Sequence, residues 1–331
     1  MADFQIYESY QSLLKNENLS TPLAAILALT EMMMHSNAGT MFELLNELKG
    51  GAEALSRQTS NPIGLNAGCE LFIEFITSFP QDAASFSELK TELIRHGQQY
   101  AEQALTYRAK IAELAFDFIK DDSILTHSYS RVVLQTLLLA HKRKRISVFV
   151  TEARPRGLGI KTAEMLTAAG IPCTVVLDSA VAYAIDKVDF VLVGSEAVVE
   201  SGGLVNAVGS NQIAIIAKAA NKPFYALAES YKFHRMFPLS QYDLPSHNPG
   251  VLSFPQALGA RALPASSGLP SKSSSVSSDN GSPIRITQED IARNNPDVDY
   301  TRPDLISLVF SDVGSLTPEG VSQYLVGMFA G

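Results

Sequence analysis

A chain of 331 residues, 46% of them hydrophobic, is long enough for two domains with separate cores. Its formal net charge of −8 argues against direct binding of nucleic acid through the phosphates. Cys69 and Cys173 are far apart and have no CxxC partner, so we expect two buried thiols in a reducing compartment rather than a disulfide or a zinc site.

The sequence has no segment typical of a secretory signal or a membrane span. Its first residues lack a basic region followed by an apolar stretch, and no apolar run reaches about 18 residues. We therefore expect no membrane association and place the protein in the cytosol.

Residues 1–120 are predicted to form an all-helical domain. Apolar residues recur there every three or four positions, as at Leu23, Ile26 and Leu27, and strand signals are scarce. The sequence Ser20-Thr21-Pro22 suits a helix start with a hydroxyl cap and proline in the first turn.

Residues 121–331 are predicted to form an α/β domain. Short apolar runs alternate there with helical stretches, which indicates right-handed crossovers and a doubly wound, mostly parallel, Rossmann-like sheet. Such sheets bind ligands at the carboxyl ends of their strands. Strands buried on both faces are expected over 123–126, 146–150, 173–177, 190–193 and 224–227, with helices over 129–141, 158–169 and 212–220.

A stretch from about 250 to 283 interrupts this domain. It is rich in Ser, Pro and Gly and too poor in apolar residues to offset its ordering entropy, so we expect a disordered surface insertion. The ordered pattern returns at Asp299, with a strand expected over 305–310 and a closing helix after Thr317-Pro318.

Three loops at strand ends carry the polar residues that could form a site. The first contains Thr126, His127, Ser128 and Arg131, and it opens a helix whose free backbone N–H groups favour an anion. Its hydroxyl groups and the arginine could complete a phosphate pocket. The alternative, with equal weight, is that Ser128 or Ser130 only caps the helix.

The second loop, over 151–159, contains Glu152 and Arg154. Its Gly157-Leu158-Gly159 sequence lacks the third glycine of the dinucleotide fingerprint and the spacing of a P-loop. Arg154 could clamp a phosphate while Glu152 accepts a hydrogen bond from a sugar hydroxyl group. The alternative is a solvated loop with an internal Glu–Arg pair.

The third loop contains Glu196, the carboxylate best positioned for a raised pKa and proton transfer, and it is followed by Asn206. A structural, hydrogen-bonded carboxylate is the alternative. The six histidines are scattered without metal-ligand spacing and there is no GxSxG motif, so we expect neither a metal nor a serine-hydrolase triad.

Several blocks of the sequence together form a specific signature. In the sheet region they are Ile124-Leu125-Thr126-His127-Ser128-Tyr129-Ser130-Arg131-Val132-Val133, Val150-Thr151-Glu152, Thr174-Val175-Val176-Leu177-Asp178, Val191-Leu192-Val193-Gly194, Val198-Val199-Glu200-Ser201-Gly202-Gly203, Asn221-Lys222-Pro223-Phe224-Tyr225 and Val298-Asp299-Tyr300-Thr301. The helical region adds Gly68-Cys69-Glu70-Leu71-Phe72 and Phe118-Ile119-Lys120-Asp121. In these blocks the sequence resembles the alpha-subunit family of translation initiation factor 2B over most of the chain, the Ser-rich insertion excepted.

The same fold serves isomerases of methylthioribose 1-phosphate and ribose 1,5-bisphosphate. The resemblance implies that these enzymes use a cysteine in the first loop and an aspartate in a Gly-Ala-Asp-Arg stretch of the third. Ser128 and Glu196 stand at those positions here, and Ala197 and Ala207 replace an arginine and a lysine. A serine hydroxyl without an activating base is a much poorer acid or base than a thiol.

The resemblance therefore implies a regulatory protein that is not an enzyme and needs no cofactor, with a pocket that could still hold a sugar phosphate. A sugar-phosphate isomerase is the alternative. The implied partners are a second copy of the chain and the beta and delta subunits of initiation factor 2B, and through them the gamma and epsilon subunits that catalyse exchange. The helical domain is expected to help recognise the phosphorylated alpha subunit of initiation factor 2.

Overall fold

The computed structural model of the chain describes residues 4–80, 85–245 and 287–329. The predicted insertion over 250–283 lies outside these residues and stays a prediction. Within the described ranges no helix combines the length and apolar character needed to cross a bilayer.

The N-terminal region is helical, as predicted. Its central helix α2 buries Leu23, Ile26 and Leu29 completely, because the neighbouring helices surround it. This helix follows Ser20 and has Pro22 in its first turn, but the expected hydroxyl cap is wrong, since the Ser20 side chain makes no capping hydrogen bond. The helices are α1 (Ile6–Leu14), α2 (Thr21–His35), α3 (Met41–Gln58), α4 (Ile63–Thr77), α5 (Phe86–Ala104) and α6 (Tyr107–Phe116).

Two features join this region to the rest of the chain. Ile111 and Ala115 of α6 pack in the same apolar cluster as Ile124 of the main sheet. Conversely, Tyr231 from the C-terminal region is fully buried in the helical core and stacks on Tyr107 with ring centroids 6.2 Å apart. The domain boundary placed after residue 120 stays a prediction.

The main sheet has seven strands in the order β11-β10-β7-β4-β1-β2-β3. All neighbouring pairs are parallel except β10 and β11, which are antiparallel, so the predicted mostly parallel, doubly wound sheet is confirmed. The strands are β1 (Ser123–His127), β2 (Ser147–Thr151), β3 (Cys173–Val176), β4 (Phe190–Val193), β7 (Phe224–Leu227), β10 (Leu308–Ser311) and β11 (Gly314–Leu316).

Helices cover both faces of this sheet. One face packs against α6, α7 (Arg131–His141) and α8 (Leu158–Ala168), with Leu137 and Leu166 fully buried. The other packs against α9 (Val181–Ala184), α10 (Ser210–Ala219) and α12 (Pro318–Phe329). The two apolar faces explain why the strands appear in the sequence as continuous apolar runs rather than alternating ones.

Three details of the sheet region differ from the predictions. Strand β3 is not buried on both faces, because it is the edge strand; Val175 is 48% exposed and Cys173 is only half-buried. Helix α7 begins two residues later than predicted, since Ser130 has an extended backbone and caps the helix. The strand predicted over 305–310 begins at Leu308, because Pro303–Leu305 forms a 3-10 turn.

A second sheet, of four strands, was not predicted. Its order is β8-β5-β6-β9, with β6 antiparallel to both neighbours. Its strands are only two to four residues long, which is too short for a periodic signal. They are β5 (Ala197–Val199), β6 (Leu204–Ala207), β8 (Phe233–His234) and β9 (Val298–Thr301), and one further helix, α11 (Gln288–Arg293), precedes β9.

Candidate functional site

The strand order of the main sheet fixes where a site can form. The chain runs from β1 outward through β2 to β3, then returns to place β4 on the other side of β1. The loops that leave β1 and β4 therefore diverge and leave a crevice between them, which is where doubly wound sheets bind ligands.

A cavity of about 330 Å³ lies at this switch point. Ser130 and Arg131 line it from the β1–α7 loop, Ser195 and Glu196 from the end of β4, and Asn206 from β6. The structure thus brings together Arg131, Glu196 and Asn206 of the residues predicted from the sequence.

The two loops meet closely at Gly194. A side-chain carbon at this position would collide with the hydroxyl group of Ser130. That hydroxyl accepts a long hydrogen bond of 3.5 Å from the Val133 N–H, so Ser130 caps α7, as one alternative predicted. Ser128 is buried and outside the cavity lining, and its carbonyl accepts a 2.7 Å hydrogen bond from Thr162.

The helical region supplies the opposite wall through the loop between α1 and α2. The Arg131 guanidinium donates to the carbonyl oxygens of Glu17 and Leu19, the latter at 2.9 Å. Arg108 of α6 donates to the carbonyl oxygen of Asn18, also at 2.9 Å. Two arginines therefore hold three consecutive carbonyl groups of this wall. Burial and the charge of Arg108 lower the pKa of Arg131.

A buried ion-pair network forms part of the cavity wall through Glu229 and Lys232. Glu229, 2% exposed, contacts Arg108 Nε at 3.0 Å and Lys232 Nζ at 2.8 Å. Burial alone would raise the pKa of Glu229, but the charge of Lys232 and its hydrogen bond, together with the charge of Arg108, lower it to about 2. Lys232 also donates to the Ser195 carbonyl at 2.9 Å, so the network joins both regions to the third loop.

The cavity has a cation suited to an anionic ligand. Lys161 of α8 lines it with its Nζ atom 4.5 Å from the centroid of the Tyr129 ring. Arg131 and the N-terminus of α7 lie in the same lining. A phosphate group would meet favourable charge from the lysine and the helix dipole.

Thr126 and His127 do not line the cavity, and both are buried. Thr126 is buried within β1. His127 Nε2 donates to the Val208 carbonyl at 2.9 Å, and its Nδ1 lies 2.6 Å from the Thr151 hydroxyl. Burial lowers the pKa of His127 and so favours the neutral ring, whose Nδ1 accepts a hydrogen bond from the Thr151 hydroxyl group. This histidine links β1, β2 and the turn after β6.

The second predicted loop also lies outside the cavity lining, because β2 is one strand away from the switch point. Arg154 is exposed, and its guanidinium donates to Gln288; the internal Glu152–Arg154 pair does not form among the described residues. The loop is held instead by Asp178, which accepts the backbone N–H groups of Ala153 at 2.9 Å and Arg154 at 2.7 Å.

Several residues of the site were missed by sequence reasoning. Glu229 had a usable signal, since it follows the buried strand β7 just as Glu196 follows β4. Lys161 and Lys232 had none, because long-range packing places them. Among the described residues no group of three or more potential metal ligands lies together.

Asp299 is the residue in which burial most clearly perturbs a carboxyl group. Burial raises its pKa to about 7, against the opposing effect of hydrogen bonds from the N–H groups of Gly209 and Asn211. The sequence predictions did not include this residue in the site, although its neighbours on β9 belong to a block that matches the family.

Curated relatives match nearly the whole chain. It is 38% identical over 329 residues to translation initiation factor eIF2B subunit alpha of Dictyostelium discoideum, which covers 98% of this chain and 96% of the relative. It is 33% identical over 335 residues to the same subunit of Caenorhabditis elegans, with coverage of 99% and 100%. Ribose 1,5-bisphosphate isomerase of Archaeoglobus fulgidus is 32% identical over 237 residues, 71% of this chain and 67% of the relative.

Solved structures share the fold. The tetrameric eIF2B-beta2-delta2 complex from C. thermophilum contains a chain that superposes with a TM-score of 0.71 at 19% identity, covering 98% of this chain and 96% of that chain. The model of the Initiation factor 2 subunit family matches residues 17–318. That match spans most of both regions and all of the cavity lining except Leu14, and the chain therefore belongs to the Initiation factor 2 subunit family.

Proposed function

We propose that this chain is a non-catalytic, alpha-type regulatory subunit of translation initiation factor 2B, the exchange factor for initiation factor 2. The observation that carries this proposal is the near full-length similarity to two alpha subunits, at 38% and 33% identity. The similarity to the Archaeoglobus fulgidus isomerase covers 71% of the chain. Its place of action is the cytosol, where translation initiation occurs.

The residues at the cavity support a subunit without catalysis. Where the related isomerases are expected to have a cysteine, Ser128 is 6% exposed and lies outside the cavity lining. Ala197 and Ala207 supply no charge where the enzymes are expected to have an arginine and a lysine. Glu196 therefore lacks the thiol and the arginine that those enzymes are expected to use beside the corresponding carboxylate.

The helical region supplies a surface suited to a protein partner. Met34 on α2 is 52% exposed and Phe42 on α3 is 74% exposed. Large exposed apolar and aromatic side chains are enriched at protein interfaces. We propose that the helices over 21–57 help to recognise the phosphorylated alpha subunit of initiation factor 2. The sheet region would then pair with a second copy and with the beta and delta subunits, which carry gamma and epsilon.

A nucleotide-release assay tests this function. Exchange complexes with and without this chain are compared on initiation factor 2 in both phosphorylation states at equal concentration. We expect basal exchange without the chain, apart from losses through weaker assembly, and a much reduced inhibition by the phosphorylated form. Equal inhibition with and without the chain would overturn the regulatory role, even if the chain co-purifies with beta and delta subunits.

The exposed helical face gives a sharper version of the same test. Phe42→Ala should reduce inhibition by the phosphorylated factor while the complex still assembles, because this side chain is 74% exposed. Phe237→Ala is a matched control, since Phe237 is also an exposed phenylalanine, at 60%, but follows β8 in the C-terminal region. Equal effects of the two variants would argue against a role for α2 and α3.

The cavity is proposed to bind a phosphorylated sugar without converting it. Lys161 and the N-terminus of α7 would receive the phosphate, and Glu196 and Asn206 would meet sugar hydroxyl groups. Ribose 5-phosphate at millimolar concentration should raise the melting temperature, because a ligand that binds only the folded state stabilises it. Lys161→Ala should remove that shift, and Lys49→Ala, on the exposed side of α3, should not. Equal shifts from unphosphorylated ribose would contradict a phosphate site.

An isomerase is the second candidate, favoured by the 32% identity to the Archaeoglobus fulgidus enzyme over 71% of the chain. We expect no turnover of ribose 1,5-bisphosphate or methylthioribose 1-phosphate by the purified chain. Turnover that disappears in Glu196→Ala would establish the enzyme instead.

A further inference from the structure

The turn between β6 and α10 is held from two directions. Oδ2 of Asp299 accepts the N–H groups of Gly209 at 2.7 Å and of Asn211 at 3.1 Å. These are donors in the first turn of a helix, which have no partner within the helix. From the other side, His127 Nε2 donates to the Val208 carbonyl at 2.9 Å.

Gly209 leaves this turn little freedom. Its φ of 107° lies in the region that favours glycine, and a side-chain carbon there would lie 2.9 Å from the His127 ring. The turn is therefore fixed by a carboxylate on one side and a ring packed against the backbone on the other.

The same turn adjoins the cavity wall, because the preceding strand β6 carries the lining residue Asn206. Asn206 pairs with Asp299 across β6 and β9, so the two side chains lie on the same face of the small sheet. Asn206 Nδ2 donates to the Ser210 hydroxyl at 3.0 Å, and this hydroxyl donates to the Ala207 carbonyl at 2.8 Å. Ser210 is fully buried, so its position follows that of the turn.

The two paired residues line different cavities. Asn206 lines the cavity of about 330 Å³ at the switch point. Asp299, with Gly209 and Asn211, lines a second cavity of about 660 Å³. A change in the hydrogen bonds between Asp299 and the turn would therefore alter the first cavity, because it would shift Ser210 and with it Asn206.

We propose that Asp299 is a positioning residue for the ligand cavity. By holding the N–H groups of Gly209 and Asn211 it fixes Ser210, and Ser210 in turn orients the Asn206 amide. Nδ2 of Asn206 donates its hydrogen bond to Ser210, so Oδ1 of Asn206 is the atom that would accept a hydrogen bond from a ligand hydroxyl group. This assignment rests on the proposed binding of a phosphorylated sugar.

The test measures binding of ribose 5-phosphate to the full chain by calorimetry, in five variants and a control. Asn206→Ala should weaken binding about tenfold, the size of one net hydrogen bond. Asp299→Ala should weaken it by a similar factor, and Asp299→Asn should stay near the unaltered chain, because an amide oxygen can accept both N–H groups. The control Asp304→Ala changes an exposed aspartate paired with Arg302 and should bind normally.

The double variant separates positioning from general stability. If Asp299 acts through Asn206, adding Asp299→Ala to Asn206→Ala should cause no further loss of affinity. Additive losses, or unaltered binding by Asp299→Ala, would overturn the proposal.

Ser210→Ala covers the case in which Asp299→Ala does not fold. It removes only the hydroxyl that holds the Asn206 amide, and the same tenfold loss is expected. Normal binding by Ser210→Ala would count against the relay. No binding by the unaltered chain would overturn the proposed ligand, and this assignment with it, whereas normal binding by all variants would overturn the positioning role alone.

Discussion

Glu229, at the seam between the helical and sheet regions, and Asp299, at the turn beside the cavity, are both buried carboxyl groups, 2% and 9% exposed. Their partners differ. Glu229 meets two full positive charges, Arg108 and Lys232. Among the described residues, the hydrogen-bond donors to Asp299 are the backbone N–H groups of Gly209 and Asn211.

The pKa values move in opposite directions for this reason. Burial raises the pKa of Asp299 to about 7, since two N–H dipoles do not offset the loss of water. At Glu229 burial has the same sign, but the charge and hydrogen bond of Lys232 and the charge of Arg108 outweigh it and lower the pKa to about 2. At Asp299 two hydrogen bonds hold the buried carboxyl group in place but do not offset the effect of burial on its pKa, whereas at Glu229 two cations do.

The largest expected effect concerns the seam. Glu229→Ala leaves Arg108 and Lys232 without their carboxylate in a buried site, so the free energy of unfolding should fall by about 3–5 kcal/mol. Urea denaturation measures the loss, with Glu53→Ala as control, because Glu53 forms an exposed pair with Arg57 on α3. A loss below about 1 kcal/mol would show that water reaches the two cations and that the seam is not a desolvated ion pair.

Asp299→Ala is the matched change at the turn. It removes the acceptor from two N–H groups but leaves no charge unpaired, so we expect a smaller loss of about 1–3 kcal/mol. The same urea titration compares the two variants, and Asp299→Asn should lose less than Asp299→Ala. A loss equal to that of Glu229→Ala would mean that leaving two cations unpaired destabilises the fold no more than leaving two backbone N–H groups unpaired.

The pH dependence sharpens the comparison. The folded-state pKa of Asp299 is raised from 3.8 to about 7, so its stabilising contribution is full below about pH 4 and is lost as the pH rises to 7. Glu229 behaves in the opposite way: its pKa is lowered from 4.5 to about 2, so its contribution is full above pH 4.5 and is lost as the pH falls to 2.

The raised pKa of Asp299 can be tested by urea denaturation of the unaltered chain and of Asp299→Asn at several pH values between 4 and 7. The variant lacks the titrating group. As the pH rises from 4 to 7, its free energy of unfolding relative to that of the unaltered chain should therefore increase by up to roughly 1.4 kcal/mol for each pH unit. Parallel pH profiles of the two proteins would refute the raised pKa.

The smallest expected effect is that of an exposed pair. Arg156 lies 3.0 Å from Asp297, and their side chains are 38% and 47% exposed. Arg156→Ala should lower the free energy of unfolding by about 0–1 kcal/mol, because solvent screens this interaction. Thermal denaturation at low and high salt checks it; a loss comparable to that of Glu229→Ala would mean that exposure does not separate the two pairs.

Much of the main sheet could be predicted from the sequence. Strands Phe190–Val193 and Phe224–Leu227 have the predicted bounds, because a strand covered on both faces must be a short, continuous apolar run. The short strands of the second sheet carried no such signal. Their formation depends on pairing between segments far apart in the chain, such as Leu204–Ala207 with Val298–Thr301.

The cavity was harder to predict, because the spacing of strands along the sequence does not determine their order in the sheet. The loops after β1, β2 and β4 have the same local appearance, and only the adjacency of β1 and β4 distinguishes the two that face the cavity. This is why Arg131 and Glu196 lie in its lining while Glu152 and Arg154 do not. Ligand binding by any of the predicted residues stays a prediction.

Tyr231 gives the fold a consequence for its synthesis on the ribosome. The ring fills the core of the helical region and stacks on Tyr107, which is made 124 residues earlier. At usual rates of elongation the helices wait roughly 6 to 25 seconds for this side chain. The helical region therefore leaves the ribosome before one aromatic side chain of its core has been made, and its packing is completed only once residue 231 follows.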